Sequence, residues 1–107
     1  MKLTFKSNNC IGIKVNDLNK AENFYGNVMG FKLMEKSGKL ISFDTGHFIL
    51  YVEKNENLQS PVPSFSVDNV SDTKDHLIKN GCEIVWETHG CFWFKDPFGI
   101  VYDVIQI

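Results

Sequence analysis

The sequence is an imperfect internal repeat, and that property constrains its fold more than any other. Displaced against itself by 52 positions, Ile13-Lys14-Val15-Asn16-Asp17-Leu18 falls on Phe65-Ser66-Val67-Asp68-Asn69-Val70, Ala21 on Thr73 and Tyr25 on Leu77. The offset slips to 51 where Gly30-Phe31-Lys32-Leu33 meets Gly81-Cys82-Glu83-Ile84, returns to 52 at Gly38 and Gly90, and becomes 53 at Gly46 and Gly99. Single-residue slips at glycines are what turns of unequal length produce, so the chain reads as two copies of one unit.

Within the first copy, Ile11, Ile13 and Val15 alternate with Cys10, Gly12 and Lys14, which predicts a strand. From Leu18 the period becomes helical through Ala21, Phe24, Tyr25, Val28 and Met29, with Asp17 as cap and Gly30 as stop. Strands are expected at Phe31 to Lys36, Lys39 to Asp44 and His47 to Glu53. The second copy repeats that order: a strand from Pro63 to Val67, a helix from Ser71 (as N-cap) to Asn80, and strands at Cys82 to Glu87, Cys91 to Lys95 and Ile100 to Ile107. The polar stretch Asn55 to Pro61 links the copies. The expectation is therefore one α+β domain over residues 1–107 made of two tandem βαβββ modules, about 8–54 and 62–107.

Composition removes several function classes. All eleven basic residues are lysine, and the net charge is -2. Without arginine there is no planar fork for gripping phosphate or carboxylate, and without a basic excess there is no footprint for nucleic acid. Met1 to Cys10 has no apolar block behind its lysines, so it does not read as a secretory signal, and no window is long and apolar enough for a membrane span. Cys10, Cys82 and Cys91 are odd in number and lack paired spacing, which predicts reduced thiols and a cytoplasmic location.

Val15-Asn16-Asp17-Leu18 before Phe24-Tyr25, Met29-Gly30-Phe31, and Phe94-Lys95-Asp96-Pro97-Phe98-Gly99 before the last strand resemble the vicinal oxygen chelate superfamily, which includes glyoxalase I, bleomycin-resistance proteins and dioxygenases. The resemblance covers nearly the whole chain. It implies paired modules, each a curved mixed sheet around a cleft, completed in a homodimer. A short two-module chain that leaves its sheets half covered points to the same dimer. The motifs mark the fold rather than the activity.

Metal-using members hold a divalent ion with His, Gln or Glu from the first and fourth strands of each module. Carried onto this chain, the resemblance puts those places at Cys10, Val62, Asp103 and, through the offset of 53, Leu50. Two are aliphatic, and one thiol with one carboxylate is too few donors, so neither metal nor other cofactor is expected. His47, His76 and His89 fall in a strand start, a helix and a turn and are read as surface or boundary residues.

Strand alternation gives the expected cleft lining: Cys10, Gly12, Lys14, Val62, Ser64, Ser66, Trp93, Lys95 and Asp103, with Leu50 from the metal positions. Each has a plainer reading. Cys10 and Val62 can be small core residues, Trp93 plain core, and Lys14 and Asp103 an ion pair; the Asp96-Pro97-Phe98-Gly99 run is a structural turn. The preferred function is capture of an amphipathic or aromatic small molecule without turnover. The alternative is a metal-dependent lyase or isomerase of glyoxalase type. A nucleophilic Cys10 ranks below both, because a thiol in an apolar strand is inert.

Overall fold

A computed structural model of the protein describes residues 4–57 and 59–107. The order is β1 (Lys6–Val15), α1 (Leu18–Glu22), β2 (Lys32–Lys36), β3 (Leu40–Asp44), β4 (Ile49–Lys54), β5 (Gln59–Val67), α2 (Val70–Lys79), β6 (Glu83–Thr88), β7 (Cys91–Lys95) and β8 (Val101–Gln106). This is the α+β arrangement of two βαβββ modules. By contacts the chain divides into two compact units. The first is Asn9–Val62; the second combines residues 4–8 with Pro63–Ile107.

In the first unit the sheet order is β2-β3-β4-β1, with β1 parallel to β4 (Cys10 opposite Ile49 through Val15 opposite Lys54) and the other pairs antiparallel. In the second it is β5-β8-β7-β6, with β5 parallel to β8 (Ser64 opposite Asp103) and the other pairs antiparallel. Both sheets are mixed. Each βαβ step uses its helix to carry the chain back so that two strands can run parallel.

The helix starts follow from their caps. Asp17 Oδ1 accepts from the Lys20 amide at 3.0 Å. Asn69, not Ser71, caps α2, accepting from the Asp72 amide at 2.9 Å; it occupies the place that Asp17 has in the first copy, and Ser71 lies inside the first turn. Gly30 at φ 77 and Gly81 at φ 89 take the left-handed conformation that ends each helical segment, which a side chain would resist.

The single helix expected from Leu18 to Met29 is α-helical only to Glu22; Asn23–Val28 continues as a π-helix. Its wider turn lets Phe24 meet Tyr25 edge to face at 5.2 Å while Tyr25 reaches Phe43 at 6.0 Å. The strand expected from His47 starts at Ile49, because Thr45 closes a turn on the Phe48 carbonyl with both its amide (3.0 Å) and its hydroxyl (2.6 Å). Likewise Ile100 belongs to a turn, its amide bonded to Asp96 Oδ1 at 3.0 Å, and β8 begins one residue later. Of the expected linker, Gln59 to Pro61 is already strand β5, and residue 58 lies outside the described residues, as do residues 1–3 of the amino-terminal stretch.

Each unit has its own core. In the first, Ile41, Phe43, Leu50 and Val52 bury against Ala21, with Ile11, Ile13, Val15 and Tyr25 packed around them. In the second, Val67, Phe92, Phe94 and Val104 bury against Leu77, with Phe5, Val70 and Tyr102 around them. Burying side chains of this size contributes about 1.5–3 kcal/mol each, so these clusters fix which sheet face turns to the helix and which is left for function.

Candidate functional site

On the sheet face opposite the helix, cross-strand register lines up one row of side chains in each unit. In the first unit the row is Glu35, Ser42, Tyr51 and Gly12, on β2, β3, β4 and β1. In the second it is Trp86, Trp93, Asp103 and Ser64, on β6, β7, β8 and β5. A bulge precedes the first member in both, between Leu33 and Glu35 and between Ile84 and Trp86. Directly opposed positions bring Cβ atoms to about 5 Å, so each row is a continuous surface.

This register corrects one expected residue. Asp103 is opposite Ser64, and the matching place in the first unit, opposite Gly12, is Tyr51. Leu50 points the other way and is buried in the first core at 7% exposure. A slip of one residue along a strand exchanges its faces.

Asp103 is the centre of a hydrogen-bonded group. Its Oδ2 accepts from Ser64 Oγ at 2.7 Å and its Oδ1 from Cys91 Sγ at 3.1 Å, while Ser64 Oγ accepts from Asn8 Nδ2 at 2.7 Å. Burial, and then the Asp103 hydrogen bond and charge, push the Cys91 thiol up to about 12, so it stays a donor at neutral pH. Beside this group Trp93 meets Trp86 edge to face at 6.1 Å, and Trp86 is 51% exposed. Trp93 stands between the solvent-exposed Trp86 indole and Asp103, so the row joins an aromatic surface to an oriented carboxylate, which together can hold an aromatic group and accept a hydrogen bond from it.

The other expected residues spread over both units. Cys10 and Lys14 share the face of Gly12 and Tyr51, with Lys14 opposite Glu53. The Tyr51 phenol is held above its ordinary range by burial, then by Cys10 and Glu35. Val62 is buried. Ser66 lies opposite Ile105, one alternation beyond Ser64, and exposed Lys95 sits 3.9 Å from Glu83. His47, His76 and His89 are exposed. Each unit also carries an open groove between the start of its helix and a strand turn, about 750 Å³ along Asp17, Lys36 and Lys54 and about 560 Å³ along Lys74, Glu87 and Gln106; neither is lined by the expected site residues.

Sequence reasoning missed Asn8, Tyr51, Trp86 and Cys91. Cys91 was findable, since it alternates with Trp93 on one strand. Trp86 was hidden by the bulge, Tyr51 by the slip, and Asn8 precedes the repeated region.

The donor set does not fit the four-ligand ion of the metal-using relatives. Val62 has no lone pair, and the Cys91 thiol beside Asp103 keeps its proton. Among the described residues no three His, Cys, Asp or Glu side chains gather as a ligand set.

No curated protein matches the sequence. Among solved structures, a Mn(II)-bound glyoxalase from Novosphingobium aromaticivorans is similar at a TM-score of 0.73 and 18% identity, covering 98% of this chain and 40% of that one. The homoprotocatechuate 2,3-dioxygenase of Brevibacterium fuscum, in complex with 3,4-dihydroxyphenylacetate, is similar at 0.74 and 19% identity over 97% of this chain and 37% of that one. A hypothetical protein from Bacillus halodurans is similar at 0.69 and 13% identity over 100% of this chain and 96% of its own. At these identities the likeness is one of fold, and the chain spans well under half of the two enzymes. The Glyoxalase/Bleomycin resistance protein/Dioxygenase superfamily profile matches residues 8–104, nearly the whole chain, and the protein belongs to that family.

Proposed function

We propose that the protein binds an amphipathic, partly aromatic small molecule on the second-unit row without turning it over, and that it works as a cytoplasmic homodimer. The observation that carries this is the state of Asp103: its oxygens are engaged by Ser64 and Cys91 next to the Trp86 and Trp93 indoles. A carboxylate fixed this way has lone pairs left for a ligand donor, and the half-exposed indole supplies apolar area, the usual division of labour in a small-molecule site.

For the dimer, the support is apolar surface on the first unit, where Val28, Met29, Leu33 and Met34 are all exposed and every residue of the edge strand β2 is accessible. The three unbridged cysteines suit a reducing interior. Among the described residues no helix is long and apolar enough to cross a membrane.

A second reading, metal-dependent lyase or isomerase chemistry, is favoured by the fold likeness to the Mn(II)-bound glyoxalase. One experiment separates the two. Protein purified without chelator is analysed for bound metal and assayed for glyoxalase turnover with nickel, zinc or manganese, and in parallel titrated with tryptamine and 2-naphthol while melting temperature and tryptophan fluorescence are followed. Binding predicts a raised melting temperature and quenched fluorescence, both weakened in Trp86→Ala and Asp103→Asn. Stoichiometric metal with turnover sinks the binding proposal, and so does a protein that responds to neither compound.

A further inference from the structure

We propose that the molecule held on the second-unit row is an organic cation, an arylalkylamine whose ammonium group is taken by Asp103 and whose ring lies against the Trp93 and Trp86 indoles. The proposal rests on the binding reading above and adds to it the sign of the ligand's charge.

Asp103 is a half-buried carboxylate whose hydrogen-bond partners are neutral. Ser64 Oγ donates to its Oδ2 at 2.7 Å and Cys91 Sγ to its Oδ1 at 3.1 Å. Asn8 Nδ2 donates to Ser64 Oγ and so leaves the hydroxyl proton for Asp103. The Cys91 thiol, pushed up to about 12 by burial and then by Asp103, brings no charge of its own. The ion pairs among the described residues join Lys36 to Glu22, Lys74 to Glu87 and Lys95 to Glu83, and none includes Asp103. Lys95 shares the face of Trp93 but is turned to Glu83, its cross-strand opposite on β6. A carboxylate drawn partly out of water is best stabilised by a positive partner, and two of its about four lone-pair positions are still open. The fold supplies the neutral donors and leaves the cation to the ligand.

The aromatic half of the row gives the same sign. Trp86 and Trp93 meet with ring centroids 6.1 Å apart and planes at 72°. That corner presents electron-rich indole face, which attracts a cation within about 6 Å and repels an anion. Trp93 is the direct cross-strand neighbour of Asp103, so ring and carboxylate stand one strand spacing apart, about 4.8 Å at the backbone. A two-carbon link between an aryl group and an ammonium spans that step. The wider field agrees: residues 4–8 and 63–107 carry seven Asp and Glu against four Lys, whereas residues 9–62 carry six of each, so the unit that holds the row is the negative one.

Three indoles of one shape separate charge from ring in calorimetric titrations of the native protein at pH about 7: tryptamine, a cation; tryptophol, its neutral analogue; and indole-3-propionate, an anion. Tryptamine should bind about tenfold or more tighter than tryptophol, with indole-3-propionate the weakest. Raising sodium chloride from about 0.02 M to about 0.5 M should erode the advantage of tryptamine and leave tryptophol unmoved. In Asp103→Asn the ratio of the two affinities should fall to within about threefold of one. The salt series needs no variant, so it decides the matter even if Asp103→Asn fails to fold. Tryptophol or indole-3-propionate binding as tightly as tryptamine, or a tryptamine preference that ignores salt, overturns the charge assignment and leaves capture of an aromatic molecule standing. Failure of all three to bind overturns both.

Discussion

Two buried serines on the helix-distal faces should respond to the same substitution with opposite signs. Ser42 is 1% exposed and its Oγ has no hydrogen-bond partner among the described residues. A buried hydroxyl in that state costs about 1–3 kcal/mol relative to one left in water. Ser42→Ala deletes the group and that cost, and forfeits only a few tenths of a kcal/mol of dispersion from one atom's contacts. The net expectation is a gain of about 1 kcal/mol.

Ser64 is 6% exposed, but its Oγ is bonded at 2.7 Å to Asn8 on one side and to the Asp103 carboxylate on the other. Ser64→Ala removes the bond from the half-buried Asn8 amide and a hydrogen bond to a charged group, a loss of about 2 kcal/mol. Unfolding entropy near 2.1 cal/mol/K per residue over 107 residues converts these to shifts of about +4 °C for Ser42→Ala and about -9 °C for Ser64→Ala. Both are read by reversible thermal unfolding followed by circular dichroism, at one pH and one protein concentration, because the proposed homodimer would make the midpoint concentration-dependent. If Ser42→Ala lowers the melting temperature as much as Ser64→Ala does, satisfaction of the hydroxyls does not control the energetics of these faces.

Other expectations follow from single groups. The Asp96 carboxyl is held below its usual 3.8 chiefly by the Ile100 amide, with the Phe98 amide, Tyr102 hydroxyl and Gly99 amide adding to it. Its folded value is the lower one, so its contribution is present above the ordinary carboxylate range and is lost as pH falls through the folded value. Urea midpoints from neutral to strongly acid pH should therefore fall more steeply at the acid end for the native chain than for Asp96→Asn. For Cys91 the folded value is raised from 9.0 to about 12, so its contribution is present below pH 9.0 and is lost as pH climbs toward 12. Iodoacetamide at pH about 8 should accordingly label Cys91 far more slowly in folded than in urea-unfolded protein, read by peptide mass spectrometry. Phe98→Ser should change stability by less than about 0.5 kcal/mol in the same urea assay, because Phe98 is 88% exposed and the turn is closed by Asp96.

The two-module order was legible because a repeat supplies each prediction with a second reading of itself. What escaped detection lay where the copies differ in length. Between β3 and β4 the turn has four residues, 45–48, and between β7 and β8 it has five, 96–100. Gly46 and Gly99 sit in those turns and are not equivalent, so the offset of 53 they suggested moved the fourth strand by one place and selected Leu50 over Tyr51. The true offset in β4 and β8 is 52, as the matched pairs Gly12 with Tyr51 and Ser64 with Asp103 require. That same offset could have found the α2 cap, since it sets Asn69 beside Asp17. The π-helix left no local signature: Asn23 to Val28 carries ordinary helical spacing. Nor could periodicity reveal that residues 4–8 serve the second unit, because a strand's alternation does not say which sheet it joins.

The paired rows separate what can vary from what cannot. The helix-facing positions of both units remain aliphatic or aromatic, while the four stations behind them hold Glu35, Ser42, Tyr51 and Gly12 in one copy and Trp86, Trp93, Asp103 and Ser64 in the other. A duplicated scaffold of this kind gives selection two interchangeable panels on an unchanged frame. New recognition chemistry can be tried on one panel while the other preserves what the molecule already does.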